Sequence, residues 1–157
     1  MSEKYAPNLD RVMMEQILRE EDTGVLAMVD GQAPYAVPLS YIWIEGRILI
    51  HCSAKGYKLE ILRQNPRVCF TVFRHPDRVK PHPEGECHYR FESVICFGQA
   101  RLIDDPAERL PLLERFKREF YQRLGMPPEK DPVNLRAAEK CGCILIDVEE
   151  MTGRKKD

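Results

Sequence analysis

The stretch that decides the fold runs from Gly24 to Ser53, GVLAMVDGQAPYAVPLSYIWIEGRILIHCS. Apolar and polar residues alternate along it, and the alternation is punctuated twice, at Asp30-Gly31 and at Glu45-Gly46. A period of two marks strands with one buried face. Asp-Gly between two such runs is a strong hairpin signal. Three strands in series, joined by tight turns, make an antiparallel meander. In the second strand Val37, Leu39, Tyr41 and Trp43 share one face. Pro38 offers no N–H to a ladder, so that strand is expected to have a free edge or a bulge there.

Upstream, DRVMMEQILRE (residues 10–20) places Val12, Met13, Gln16 and Ile17 at helical spacing, with Gly24 as a stop. Met13 and Met14 are expected to pack in this helix. Downstream, a short helix covers about residues 57–64 and ends at Asn65-Pro66. RVCFTVF reads as a fourth strand, and YRFESVICFGQARLI as a long fifth one with a bend or bulge at Gly98. Between them, residues 74–87 carry three prolines and no apolar periodicity, the pattern of a long surface loop. Arg74, Arg78 and Lys80 would let that loop fold over a cleft, although a solvated loop is the simpler reading.

DDPAERLPLLERFKREFYQRL (104–124) is a helix capped by Asp105, with Pro106 in its first turn and Glu108 in capping-box position. Its apolar stripe is Leu110, Leu113, Phe116, Phe120 and Leu124, and Glu114–Arg118 and Glu119–Arg123 are spaced as ion pairs on the wet face. Asp131-Pro132 is expected to start a shorter helix, and CGCILIDVEE reads as the final strand, with Cys141 and Cys143 packing on one side. The expected fold is mainly β: one domain over 1–157, a six-stranded antiparallel closed or split barrel with two or three flanking helices.

The bulk composition narrows the function. The chain has 157 residues, 43% hydrophobic and 31% charged, with 24 basic against 25 acidic residues for a net charge of −1. Such a balance argues against a general nucleic-acid binder. No apolar run reaches the roughly 20 residues that span a membrane. The first ten residues hold no apolar signal core, and six cysteines without a regular framework fit reduced thiols, so a cytoplasmic location is expected. His75, His82, Cys87 and His88 match no compact zinc spacing.

Chemistry concentrates where the third strand runs out, in HCSAKGYK. Strand alternation puts His51 and Ser53 on one face and Ile48, Ile50 and Cys52 on the other. Lys55 and Lys58 fall on one side of the first helical turn. A hydroxyl, free N–H groups at a helix start, a glycine and two cations meet the requirements for holding a phosphate; a solvated turn with two lysines is the competing reading. Ser93 interrupts the face of Phe91, Ile95 and Phe97, and Ser40 follows Pro38, so three irregular strands could line one cleft.

The stretches PYAVPLSYIW, GRILIHCSAKGYKLEILRQNPRVCFTV and CHYRFESVICFGQARLI, within about residues 24–103, resemble the flavin-binding split-barrel family related to pyridoxamine 5'-phosphate oxidase. Within it they are similar to the branch that includes the nitroimidazole reductases. The resemblance implies a homodimer with two FMN molecules in clefts between subunits. Val37, Pro38, Leu39 and Ser40 would then follow the isoalloxazine edge, mainly through backbone groups. His51 and Cys52 would stand near the flavin, as would Tyr57 unless it is a surface aromatic at the helix start; Ser53 and Lys58 would hold its phosphate, and Glu92 and Ser93 would complete the cleft from the other subunit. The implied activity is hydride or electron transfer to a small acceptor, with His51 as proton donor or as a structural hydrogen-bonding group. Oxidases of vitamin B6 phosphates carry further basic residues near the C-terminus. The tail DVEEMTGRKKD has Arg154, Lys155 and Lys156 but no matching motif, so that activity is not expected. A flavin- or haem-binding module without turnover, or use of a deazaflavin such as F420, are the alternatives.

Overall fold

The structure, a computed structural model, describes residues 6–75, 90–127 and 133–156. In chain order its elements are α1 (Arg11–Glu20), β1 (Thr23–Asp30), β2 (Ala33–Ile44), β3 (Arg47–Ser53), α2 (Tyr57–Gln64), β4 (Arg67–Arg74), β5 (Phe91–Ile103), α3 (Pro106–Arg123), α4 (Leu135–Lys140) and β6 (Cys141–Lys156). The strands close into a barrel in the order β1-β2-β3-β6-β5-β4, every pairing antiparallel. The expected six-stranded barrel is what forms.

Local sequence explains the turns. Asp30 pairs with Ala33, so Gly31 and Gln32 alone make the β1–β2 loop, with Gly31 in the left-handed region at φ 59°. Glu45 and Gly46 both have positive φ, 48° and 84°, the requirement of a two-residue turn whose twist matches its strands.

Inward side chains from all six strands, among them Leu26, Tyr41, Ile48, Ile50, Phe70, Val72, Val94 and Ile146, fill the barrel. The same cluster takes Met14, Ile17 and Leu18 from α1 and Leu59, Ile61 and Leu62 from α2, so these two helices plug opposite ends. Each such side chain contributes about 1.5–3 kcal/mol by leaving water. A second cluster lies outside the barrel. There α3 and α4 set Leu113, Phe116 and Ala138 on the outward Ile42, Ile44, Leu49, Cys143 and Leu145. Strand β3 is therefore buried on both faces, while β1 and β4 join the inner cluster alone and β5 adds only Ile103 to the outer one.

Several expectations need correction. Helix α1 buries Met14, Ile17 and Leu18, whereas Val12 and Met13 are exposed, because a helix plugging a barrel end buries a different arc from one lying on a flat sheet. On α3 the ion pair is Arg115–Glu119, and Arg123 donates to the carbonyls of Glu21 and Tyr41. Helix α4 begins after Asn134, whose side chain accepts from the Ala137 amide; Asp131 and Pro132 lie outside the described residues. The basic tail is not a tail: β6 continues to Lys156, which pairs with Phe91. Arg74 belongs to β4 and bridges Glu20 and Glu92, and the loop from residue 76 to residue 89, with Arg78 and Lys80, lies outside the described residues.

Two backbone expectations hold. The β5–β6 register shifts between Phe97 and Gly98, where an added Cβ would meet the Asp147 carbonyl oxygen at 2.1 Å. Pro38 sits in a stretch of β2 paired to β1 alone, since β3 joins β2 only from Tyr41 onward.

Candidate functional site

The seam between β2 and β3 opens on the side of the barrel that α2 plugs. The two strands pair from Tyr41↔Ile50 to Ile44↔Arg47 and then part. Beyond that point Val37, Pro38, Leu39 and Ser40 stay paired to β1 but have no partner in β3, while His51, Cys52 and Ser53 stay paired to Cys143, Gly142 and Cys141 of β6. Alternation then sorts the side chains. Val37, Leu39 and Cys52 pack against the barrel core, leaving Pro38, Ser40, His51 and Ser53 on the outward face.

A cavity of about 400 Å³ lies on that face, between the opened seam and the α3–α4 pair. Ser40 and His51 form its barrel side. Leu113, Phe116, Lys117, Phe120 and Tyr121 come from α3, Val133, Asn134 and Ala137 from α4 and its approach, and Cys141 from the start of β6. Phe116 and Phe120 stack at 5.4 Å between centroids and 17° between planes, and the His51 ring meets Phe116 at 5.5 Å. The volume suits a small flat molecule, within the range of ordinary ligand pockets. Apolar surroundings hold the His51 pKa below its ordinary value, although much of the ring still meets solvent. Desolvation disfavours the charged imidazolium and so favours the neutral ring. The cavity's helical walls were missed in the sequence. Their signal was an aromatic set, Phe116, Phe120 and Tyr121, wider than a plain core stripe requires.

A buried arginine fixes those helical walls. Arg109 is 9% exposed and donates to the carbonyls of Ile103, Asp104, Ala138 and Cys141. One guanidinium thus ties α3 to the end of β5, the last turn of α4 and the start of β6.

Beside the seam, the chain leaves β3 and enters α2 through a turn open to solvent. Gly56 occupies the N-cap position with φ 136° and no side-chain cap. The Ser53 hydroxyl accepts from the Lys55 amide at 3.3 Å, and a Cβ built on Gly56 would stand 3.8 Å from Lys58 Nζ. Lys58 is half-buried and makes no ion pair among the described residues. Its charge, opposed by the larger effect of burial, acts on the nearby Cys52 thiol, whose pKa is raised. The first-turn N–H groups of a helix are unpaired and carry positive partial charge. A hydroxyl, an ammonium and helix-start amides therefore sit within one short turn, the groups from which an anion site is built.

Tyr57 does not line the cavity beside His51. It is 49% exposed and its hydroxyl donates to Asp30. Glu92 and Ser93 lie at the other end of the barrel: Glu92 is engaged by Arg74, and Ser93 Oγ lies 3.5 Å from the Arg154 carbonyl. On β6, eleven residues separate Cys143, opposite His51, from Arg154, opposite Ser93. That is roughly 35 Å of strand at about 3.3 Å per residue. Within one chain the structure does not bring these groups together. Of the four residues whose spacing matched no zinc pattern, His75 is described, its Nδ1 3.0 Å from the Arg90 carbonyl, and His82, Cys87 and His88 lie outside the described residues. Among the described residues no group of three His, Cys, Asp or Glu side chains could hold a metal ion.

A closed antiparallel barrel with one opened seam and helices over it defines a six-stranded split-barrel protein. The profile of the pyridoxamine 5'-phosphate oxidase family matches residues 10–155, and the chain belongs to that family. No curated protein matches it. Solved structures share its fold. A candidate 5-nitroimidazole antibiotic resistance protein from Bacteroides thetaiotaomicron is 23% identical with a TM-score of 0.77, over 94% of this chain and 84% of that one. A FAD-binding protein from Mesorhizobium loti is 21% identical with a TM-score of 0.71, over 95% and 96%. A FAD and haem binding protein from Mycobacterium smegmatis is 16% identical with a TM-score of 0.81, over 96% and 73%.

Proposed function

We propose that this chain is a flavoprotein oxidoreductase that binds FMN and passes hydride or electrons to a small flat acceptor. One observation carries the reading: the open β2–β3 seam leads directly into an uncapped, glycine-opened helix start with Lys58 beside it. FMN has a phosphate at one end and a flat, largely apolar ring at the other, and the two halves of the site match those ends. The family and the flavin-binding proteins that share the fold support the same choice.

Ser53, Lys58 and the first amides of α2 would hold the phosphate. The backbone edge from Val37 to Ser40 that lacks a partner in β3 would face the polar edge of the ring. When bound, FMN supplies the redox chemistry. The chain's own part is to orient the ring and to keep water off one face with Phe116 and Phe120. His51 holds a proton-donating or hydrogen-bonding nitrogen at the rim. The cavity under α3 and α4 is where the acceptor would sit.

A second copy of the chain completes the cleft. The outward faces of β1, β4 and β5 carry Val25, Val29, Phe73 and Phe97, 41–56% exposed and covered by no described helix. A two-fold pairing buries one such patch on its own copy. With strand directions reversed, it carries the Ser93 end of one protomer toward the His51 end of the other. Free thiols at Cys52, Cys69, Cys96, Cys141 and Cys143 suit the reducing cytoplasm. No helix among the described residues is long and apolar enough to cross a membrane.

The test is the visible spectrum of the purified protein, followed by titration with FMN and steady-state assays. A flavin double band that survives gel filtration, and NADH- or NADPH-dependent reduction of a nitroaromatic or quinone, is the expected result. Protein that stays colourless after FMN is added refutes the proposal. A bound flavin without turnover, or a sharp haem band, replaces the enzyme with a binding module.

A further inference from the structure

The β1–β2 hairpin and the start of α2 are fastened together by side chains outside the cavity. Tyr57, the first residue of α2, donates its hydroxyl to Asp30 Oδ2. Its ring stands edge-on to Tyr35, with centroids 5.1 Å apart and planes at 82°. Asp30 ends β1 and Tyr35 lies near the start of β2, so both anchors sit on a hairpin whose loop is only Gly31 and Gln32. Burial does not explain the arrangement, because half of the Tyr57 ring is exposed.

What the fastening controls is the turn beside it. Gly56 precedes Tyr57 directly, adopts φ 136° and has no cap. Glycine at such a point is the least restrained backbone in the chain. Left free, the segment from Ser53 to Lys58 would sample many shapes, and the entropy of ordering it would be charged against any ligand it holds. A side-chain tie one residue past the glycine removes much of that freedom before the ligand arrives.

We propose that Tyr57, held by Asp30 and Tyr35, is a positioning residue that presets the Ser53–Lys58 turn for a phosphate and so sets the preference for a phosphorylated flavin. The inference rests on that turn being the phosphate seat. Tyr57 does not contact the phosphate; it acts through the backbone it anchors.

The experiment compares the affinities of FMN and riboflavin, read by flavin fluorescence, in the wild type, Tyr57→Phe, Asp30→Asn, the double variant and Lys58→Ala. Tyr57→Phe is expected to weaken FMN by about five- to twenty-fold, the scale of lost preorganisation, with riboflavin and the melting temperature unchanged. Asp30→Asn moves the same way, and the double variant is no worse than the poorer single one, the mark of a shared contact. Equal losses for both flavins, or an unchanged FMN-to-riboflavin ratio in Tyr57→Phe while Lys58→Ala lowers it, overturns the latch alone. A wild type that binds both flavins alike overturns the phosphate seat, and the latch with it.

Discussion

At the scale of single residues, His51 and Ser53 were legible because a strand leaves no freedom: alternate side chains must share a face, and His51 and Ser53 face outward as read. Phe116, Lys117 and Asn134 were not legible as walls of the same cavity. They arrive from segments more than sixty residues further along, and the aromatic set on α3 does not say which strands it will cover. His51 also makes a prediction. Its pKa is depressed by desolvation, so a rate that needs its proton should climb as pH falls below about 6.5, the ordinary histidine value, without levelling there. His51→Ala should flatten that limb while leaving FMN bound; loss of FMN in the variant would remove the proton-donor role. The same shift has a stability sign. The unfolded chain binds this proton more readily than the folded one, so stability contributed by neutral His51 is present above about pH 6.5 and declines as pH falls through that value.

At the scale of elements, the first five strands and their turns were read to within about two residues, because turn glycines and a two-residue period speak locally, whereas β6 runs on to Lys156, past the expected end at Glu150. Helix phase was harder. The burial of Met14 and Leu18 and the exposure of Val12 depend on α1 closing a barrel end, which no local pattern encodes. Arg109 went unrecognised since an arginine next to an apolar stripe normally reads as a wet residue. Its four carbonyl partners make it the fastening of the cavity wall. The last turn of α4 carries negative partial charge and favours a cation there. Arg109→Leu should cost about 2–4 kcal/mol, since several carbonyls lose a charged donor. That corresponds to a fall in melting temperature on the order of 5–15 °C for a chain of this size. A change below about 1 °C in a thermal melt would show that water replaces the guanidinium.

At the scale of the whole molecule, the residues proposed for one cleft stand at opposite ends of the barrel, so the reading requires two chains. Phe73→Asp places a charge in the centre of the patch proposed to meet its copy. Light scattering should then report a monomer, and FMN affinity should fall with it; a variant that stays dimeric, or a wild type that is monomeric, would place the partner surface elsewhere. The closure of the barrel has a different consequence, in the order of synthesis. Strand β6 joins β3 on one side and β5 on the other, and it is the last of the six strands to leave the ribosome. Until it emerges, the nascent chain carries two long unpaired edges, the kind that pair with neighbours. The polysome, rather than the finished protein, is where this fold is most exposed to aggregation.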